Sequence, residues 1–300
     1  MATGTSWAGA DPTCAVAQAA VVVGDRWSLV VLREVARGHT RFDALAAELR
    51  ISRKVLTERL AHLVHHGVLA KVAYQDRPAR HDYLLTEAGR AFLPVLVALQ
   101  DWGDQWVLGD GALSATSVDG AAEVARVHDL VGQRVPDDLL LPSTAGGPRD
   151  VLATGGVGTV VFGYPATGVP TPLPEGWSDI PGAAGCTLEN RLFRAAYDDF
   201  VAAGVAVHGV STQRSDEQAV FAEAEKIPFP LLSDADLALT AALRLPTFRA
   251  AGQVRLRRVV VVADADRVVR AVRYPVTDIP ETVRWSLRVL TDSPDAEDKP

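Results

Sequence analysis

Only two cysteines, Cys14 and Cys186, occur in 300 residues. That is too few for a disulfide scaffold, and it suits a reducing cytoplasm. No cysteine–histidine group has metal-ligand spacing, so no metal is expected. The one glycine-rich stretch, Gly155–Thr159, leads into a strand-like run and not a helix. It is therefore no phosphate loop, and no cofactor is expected. No apolar run reaches the ~18 residues of a membrane span. Ala15–Val23 is too short and lacks a basic lead, so neither a signal peptide nor a membrane partner is expected.

Charge is present but unevenly placed. The net charge is −7, and residues 1–110 hold 12 basic and 12 acidic side chains. All of the excess acid therefore lies in residues 111–300. Within Arg50–His81 seven basic residues face two acidic ones, and four of the seven histidines lie there too. A positive stripe inside an acidic protein is what a local phosphate-binding surface needs. Three hundred residues, 48% of them hydrophobic, suggest two packed domains.

The first hundred residues read as helix, break, helix. After a frayed start, residues 1–13, a helix is expected over Cys14–Val23, broken at Gly24–Asp25. Arg26–Arg37 follows, with Trp27, Val30, Val31 and Val35 inward, and Gly38 suits a C-cap. Phe42–Leu49 is a short amphipathic helix. Ser52 is the N-cap candidate of the next helix, which runs to His66. Its apolar set, Val55, Leu56, Leu60, Leu63 and Val64, leaves Arg53, Lys54, Thr57, Glu58 and Arg59 outside. Two strand-like runs, VLAKVAY and HDYLLT, are joined by QDRPAR. They form a hairpin with Arg77 and Arg80 at its tip. This is the pattern of a winged helix, whose second paired helix enters the major groove while the wing touches flanking phosphates.

Cys14–Trp106, from CAVAQAAVVVGDRWSLVVLREVARGHTRFDALAAEL through ISRKVLTERLAHLVHHGVL to YLLTEAGRAFLPVLVALQDWG, resembles the HxlR-type regulators of the MarR-like winged-helix group. The resemblance implies binding to double-stranded operator DNA as a homodimer. Its contacts would be Ser52, Arg53, Lys54, Thr57, Arg59, Arg77 and Arg80. The dimer surface would come from the N-terminal helix and a long helix over about Thr86–Val107. Some members carry an early cysteine that senses oxidants, and Cys14 occupies its position. Packing within the N-terminal helix explains Cys14 equally well.

Residues 109–133 read as a linker carrying a helix at Gly120–Val131. In the second domain, strands are expected at Thr159–Pro165, Val205–Thr212, Arg258–Asp264 and Val268–Pro275. Helices are expected at Asp216–Lys226, Asp234–Leu243 and Pro280–Leu290. The stretch Ile180–Arg194 matters most. A Pro- and Gly-rich turn delivers Cys186 to the start of a helix marked by Leu188, Leu192, Phe193 and Tyr197. Free backbone N–H groups and the helix dipole favour an anion there, so the thiol pKa is expected below ~8.5. A small buried hydrophobe is the plainer alternative for a lone cysteine.

The Cys186 turn, with Gly185, Thr187, Glu189, Phe193 and Arg194, resembles the active-site turn of peroxiredoxins. Supporting stretches run in order from about Val135 to Leu290, among them FGYPATGVP, GVSTQ, FPLLSD and RYPV. The implied fold is α/β thioredoxin-like, following an α+β winged helix-turn-helix. The implied domains are 1–108, a linker at 109–133, a redox domain at 134–291 and a disordered tail at 292–300. The resemblance makes Cys186 the peroxide-reacting thiol, with Thr187 beside it and a strand-opening Arg258 as its electrostatic partner. Arg257, one residue away, should face the other way. Ala183 replaces the family's Thr or Ser, Asp179 its Pro, and Arg191 stands where a nearby resolving cysteine would be. A one-cysteine chemistry using Cys14 or an external thiol reductant is implied, with peroxide as substrate or signal. Three functions remain open: a redox-responsive regulator, a thiol peroxidase with an auxiliary DNA-binding module, and a regulator with a silent redoxin-like domain.

Overall fold

A computed structural model of the chain describes residues 13–77, 79–109, 114–117 and 120–291. The tail expected to be disordered, and all but the last residue of the start expected to be frayed, lie outside the described residues. The chain divides into two compact units, Met1–Leu96 and Val97–Pro300. The division falls inside a helix, ahead of the boundary expected at 108.

In the first unit the helices are α1 (Ala15–Val23), α2 (Arg26–Ala36), α3 (Phe42–Leu49) and α4 (Arg53–His65). A hairpin of β1 (Leu69–Asp76) and β2 (Ala79–Leu85) follows, then α5 (Glu87–Ala91) and the start of α6 (Leu93–Trp106). Local caps fix the helix starts. Asp25 accepts hydrogen bonds from the Trp27 and Ser28 N–H groups, both at 3.0 Å. Ser52 accepts from Val55 N–H at 3.3 Å. Both satisfy N–H groups that a helix leaves free. Arg50 adopts a left-handed conformation, φ 49°, to end α3 and turn the chain into α4. Val31, Leu32, Val35, Leu45, Leu56, Leu60, Leu63 and Leu69 form the core between these elements.

The long helix expected over Thr86–Val107 is broken at Phe92. Pro94 has no N–H to give the Arg90 carbonyl, and its ring crowds that carbonyl. Among the described residues, no single helix is long and apolar enough to cross a membrane.

The second unit contains the rest of α6, α7 (Ala122–His128), β3 (Leu140–Pro142), β4 (Pro148–Asp150), β5 (Gly158–Gly163), α8 (Cys186–Ala195) and α9 (Tyr197–Ala202). Then come β6 (Val205–Ser211), α10 (Ser215–Glu225), β7 (Leu231–Ser233), α11 (Ala238–Leu243), β8 (Thr247–Ala250), β9 (Gln253–Leu256), β10 (Val259–Asp264), β11 (Val269–Arg273) and α12 (Ile279–Thr291). Five strands make one mixed sheet in the order β11-β10-β5-β6-β7. β5 pairs parallel to β6 and antiparallel to β10.

Both faces of the central strands β5 and β10 are covered, which is why these two are mostly apolar. Val160, Phe162, Val260 and Val262 face one core with Phe193, Phe200 and Phe221. Val161, Val259 and Val261 face the other, where Val127 and Leu130 also pack. The later part of the stretch expected as linker therefore contributes to this core through α7. The helix expected from Asp234 begins at Ala238 instead. The Asp234 carboxylate accepts from the Leu239 and Thr240 N–H groups, at 2.9 and 2.8 Å, and so lies outside the helix it caps.

Phe162 stacks on Phe193, the rings 4.2 Å apart. This contact ties the central strand to the helix that carries the cysteine. Phe162→Ala should cost the second unit about 3–5 kcal/mol, read from its denaturant transition. A loss below ~1 kcal/mol would mean that this stack does not hold α8 to the sheet.

Candidate functional site

The turn before α8 ends in Gly185 with φ 103°, a conformation that suits glycine. A Cβ at this position would stand 2.9 Å from the Ile279 side chain and 3.6 Å from an Arg258 nitrogen. Glycine therefore lets the chain pass between α12 and Arg258 and places Cys186 in the first turn of α8. The thiol is 4% exposed. Its S–H points to the Ala183 carbonyl at 3.5 Å, and the Ala166 N–H points to the sulfur. The Trp177 indole donates to the same Ala183 carbonyl at 3.2 Å, fixing the turn from the other side.

Arg258 lies against this thiol. Its Nη2 is 3.7 Å from Cys186 Sγ and donates to the Ala184 carbonyl at 2.9 Å. Its Nη1 donates to the carboxylate of Glu189, one helical turn beyond Cys186. Both charged side chains are buried. Burial pushes the Glu189 carboxyl up to about 7, against the pull of Arg258. Glu189 was visible in the motif, three residues after the cysteine, but nothing in the sequence paired it with a residue 69 positions away.

The expected low thiol pKa is overturned. Burial pushes the Cys186 thiol up, and the positive charge of Arg258 and the Ala166 N–H offset it only in part. The helix N-terminus is present, but so closed a site lacks the water that would solvate a thiolate. The Ala183 carbonyl also favours the protonated form.

Other expected residues fall as follows. Thr187 is half-buried in the first turn of α8. Beside them, Thr167 in the loop after β5 turns its side chain to Gln213 and the Val169 carbonyl. Gln213 grips the Thr167 backbone from both sides, accepting from its N–H at 2.8 Å and donating to its carbonyl at 3.2 Å. That grip holds the loop from which Ala166 N–H reaches the sulfur. Arg257 faces away from Arg258 and bonds the carbonyls of Thr247 and Thr116 and the Glu123 carboxylate, at 2.8, 2.7 and 3.0 Å. Arg191 pairs with Glu225.

In the first unit Ser52 is the N-cap of α4, and Arg53, Lys54 and Thr57 are exposed along one side of it. Arg53 reaches Asp43 at 3.1 Å and Lys54 reaches Glu58 at 4.0 Å, both highly exposed pairs that a phosphate can replace. Arg59 does not stand outside. It bonds Asp25, the cap of α2, at 3.1 Å and is half-buried, because α4 crosses the start of α2 there. Arg77 and Arg80 are exposed at the tip of the β1–β2 hairpin. Cys14 is the N-cap of α1, its sulfur 3.5 Å from Ala17 N–H, and it is half-buried.

The cluster Glu34, His39 and Glu48 is the one set of three potential metal ligands among the described residues. Glu34 is already held by Arg33 and Arg37, at 2.6 and 2.7 Å. Two guanidinium groups there oppose a cation.

The family described as HxlR-like helix-turn-helix matches residues 22–110, and the Redoxin family matches residues 130–283. An uncharacterized HTH-type transcriptional regulator of Mycobacterium tuberculosis is 45% identical over 92 residues, 31% of this chain. The chain spans 58% of that relative's length. A second such regulator, from Synechocystis, is 35% identical over 112 residues, 35% of this chain and 83% of the relative. The crystal structure of peroxidoxin BcpB from Mycobacterium tuberculosis is 29% identical, with TM-score 0.44, over 53% of this chain and 95% of that one.

Burial and the Ala183 carbonyl both hold the proton on Cys186. Alkylation of the thiol should therefore keep accelerating as pH rises past ~8.5, with Arg258→Met shifting the profile still higher. A plateau below pH 7 would contradict the thiol's environment as described.

Proposed function

The chain belongs to the redoxin family and carries an HxlR-like helix-turn-helix domain ahead of the redoxin fold, and from this we propose that it is a redox-responsive transcriptional regulator. In this reading the first unit binds double-stranded operator DNA through α4 and the hairpin tip. The redoxin unit reads peroxide through Cys186. The observation that carries the reading is the thiol in the first turn of α8, with a permanently charged guanidinium 3.7 Å away. Those are the parts a thiol needs to attack a peroxide oxygen and to stabilise the charge that leaves.

In the reaction the sulfur attacks one peroxide oxygen, a sulfur–oxygen bond forms and the oxygen–oxygen bond breaks. The leaving oxygen takes up the thiol proton. The sulfur is oxidised to a sulfenic acid and the peroxide is reduced to an alcohol or water. Arg258 is placed to stabilise the leaving oxygen. Ala183 has no hydroxyl to help, and loss of one such donor typically costs ~10²–10³ in rate. The raised thiol pKa lowers the rate further at neutral pH. Both features favour a sensor that reacts once and is reset by an external thiol over a fast peroxidase.

Operator binding as a homodimer fits the apolar residues left exposed on two helices. α1 exposes Val16 and Val21, and α6 exposes Leu99, Trp102 and Trp106. Leu93 and Leu96, within the stretch expected to form the dimer surface, turn inward, Leu93 fully and Leu96 against the first unit's core.

The test is DNA affinity of the full chain, on an operator selected from random duplexes, before and after peroxide. Peroxide should change the affinity of the wild type and leave Cys186→Ser unchanged. An equal response in both would end the Cys186 reading. Neutralising Arg53 or Lys54 should each flatten the slope of log K against log salt by about one. Arg59→Gln should instead weaken the first unit's stability, since it removes the Asp25 bond. An Arg59→Gln protein of unchanged stability and flattened salt slope would reverse that assignment.

A further inference from the structure

Residues 114–117, which precede α7, pack on the turn that carries Cys186. Ala115 is fully buried, and its N–H donates to the Pro181 carbonyl at 2.9 Å. At Gly182, φ 79°, a Cβ would stand 2.9 Å from Thr116 Cβ, so only glycine allows this approach. Ala115 also shares one apolar cluster with Trp177, Ala166 and Ala183, the residues around the thiol. The same turn thus has the sulfur on one side and this segment on the other.

The segment is joined in turn to the helices that follow and precede it. The Thr116 carbonyl accepts from Arg257, the neighbour of Arg258 that faces the other way. Arg257 pairs with Glu123 in α7, and Tyr274 donates to the same carboxylate. Three residues on, Arg126 makes two bonds to Asp104 in α6, at 2.6 and 2.7 Å, with both side chains under a tenth exposed. α6 is one continuous helix whose first residues belong to the DNA-binding unit.

We propose that oxidation of Cys186 displaces the turn at 180–185 and releases residues 114–117 with α7, so that the redox state reaches α6 through Arg257, Glu123 and Arg126. The proposal rests on the reading of Cys186 as the reacting thiol. Its physical cause is space. Ala183 is fully buried, Ala166 is 2% exposed and Cys186 is 4% exposed, so the oxygen that sulfenic acid adds enters a closely packed site and presses on its walls. Oxidation also removes the S–H donated to the Ala183 carbonyl. A packed interior answers added volume by shifting the nearest element that can move. That element is the glycine-rich turn, and the first bond in the way is Ala115 N–H to Pro181.

Amide hydrogen exchange on the full chain tests this, before and after one equivalent of hydrogen peroxide, with sulfenic acid at Cys186 verified by mass. Exchange at Ala115 and across α7 should quicken by about tenfold, the size of one ordinary hydrogen bond lost. Cys186→Ser should show no change. Arg257→Met should quicken Ala115 exchange already in the reduced protein and blunt the further response to peroxide. Complete oxidation of Cys186 with unchanged Ala115 exchange would overturn the proposal alone. Failure of Cys186 to oxidise would overturn the reading of the thiol beneath it.

Discussion

A guanidinium and a carboxylate, Arg258 and Glu189, are buried together beside one cysteine. Removing such a pair from water costs several kcal/mol per ion, and a buried pair is a poor source of stability. What the pair does supply is placement. Glu189 lies one turn of α8 beyond Cys186, so the carboxylate that holds Arg258 also fixes its distance to the sulfur. The guanidinium bonds the Ala184 carbonyl as well, and so holds the turn that delivers the thiol. The same burial that makes the pair rigid also keeps the proton on sulfur. Reactivity and closure oppose each other here, and the balance lies toward closure.

The strand that begins after Arg258 gives the site a second face. Two adjacent arginines leave the chain in opposite directions, as extended backbone requires. One serves the thiol, the other the Glu123 carboxylate of α7. A displacement of the turn on one side is therefore felt on the other without any long-range device. The DNA-binding unit is organised more simply. The surface proposed to meet DNA is a helix capped by Ser52, with Arg53 and Lys54 in exposed ion pairs, and a hairpin with Arg77 and Arg80 exposed at its tip.

Much of this was legible in the sequence, and for local reasons. The boundaries of α2, α3 and α4 follow from Asp25, Gly38, the apolar period and Ser52, all near neighbours in the chain. β5, β6 and β10 are legible because both of their faces are largely buried, which makes them mostly apolar. Cys186 at a helix start follows from the glycine-rich turn. What was not legible is set by distance in the chain. Nothing in the order of residues reports that α7 packs into the redoxin core, that Asp25 takes Arg59 out of the exposed set, or that the Trp177 indole bonds the turn ahead of Cys186. The thiol pKa was misjudged for the same reason. The helix dipole is a local feature, whereas the burial that outweighs it draws on Ala166 and α12, both distant from Cys186 in sequence. The break at Phe92 is the exception, since Pro94 was in plain view.

The central claim is that Cys186, held against Arg258, is the residue that peroxide oxidises. Trapping with dimedone after one equivalent of hydrogen peroxide, followed by peptide mass mapping, reads this directly. The account predicts an adduct on the peptide containing Cys186, formed faster at higher pH and strongly reduced in Arg258→Met. An adduct on Cys14 alone, or a Cys186 adduct indifferent to Arg258, would contradict it.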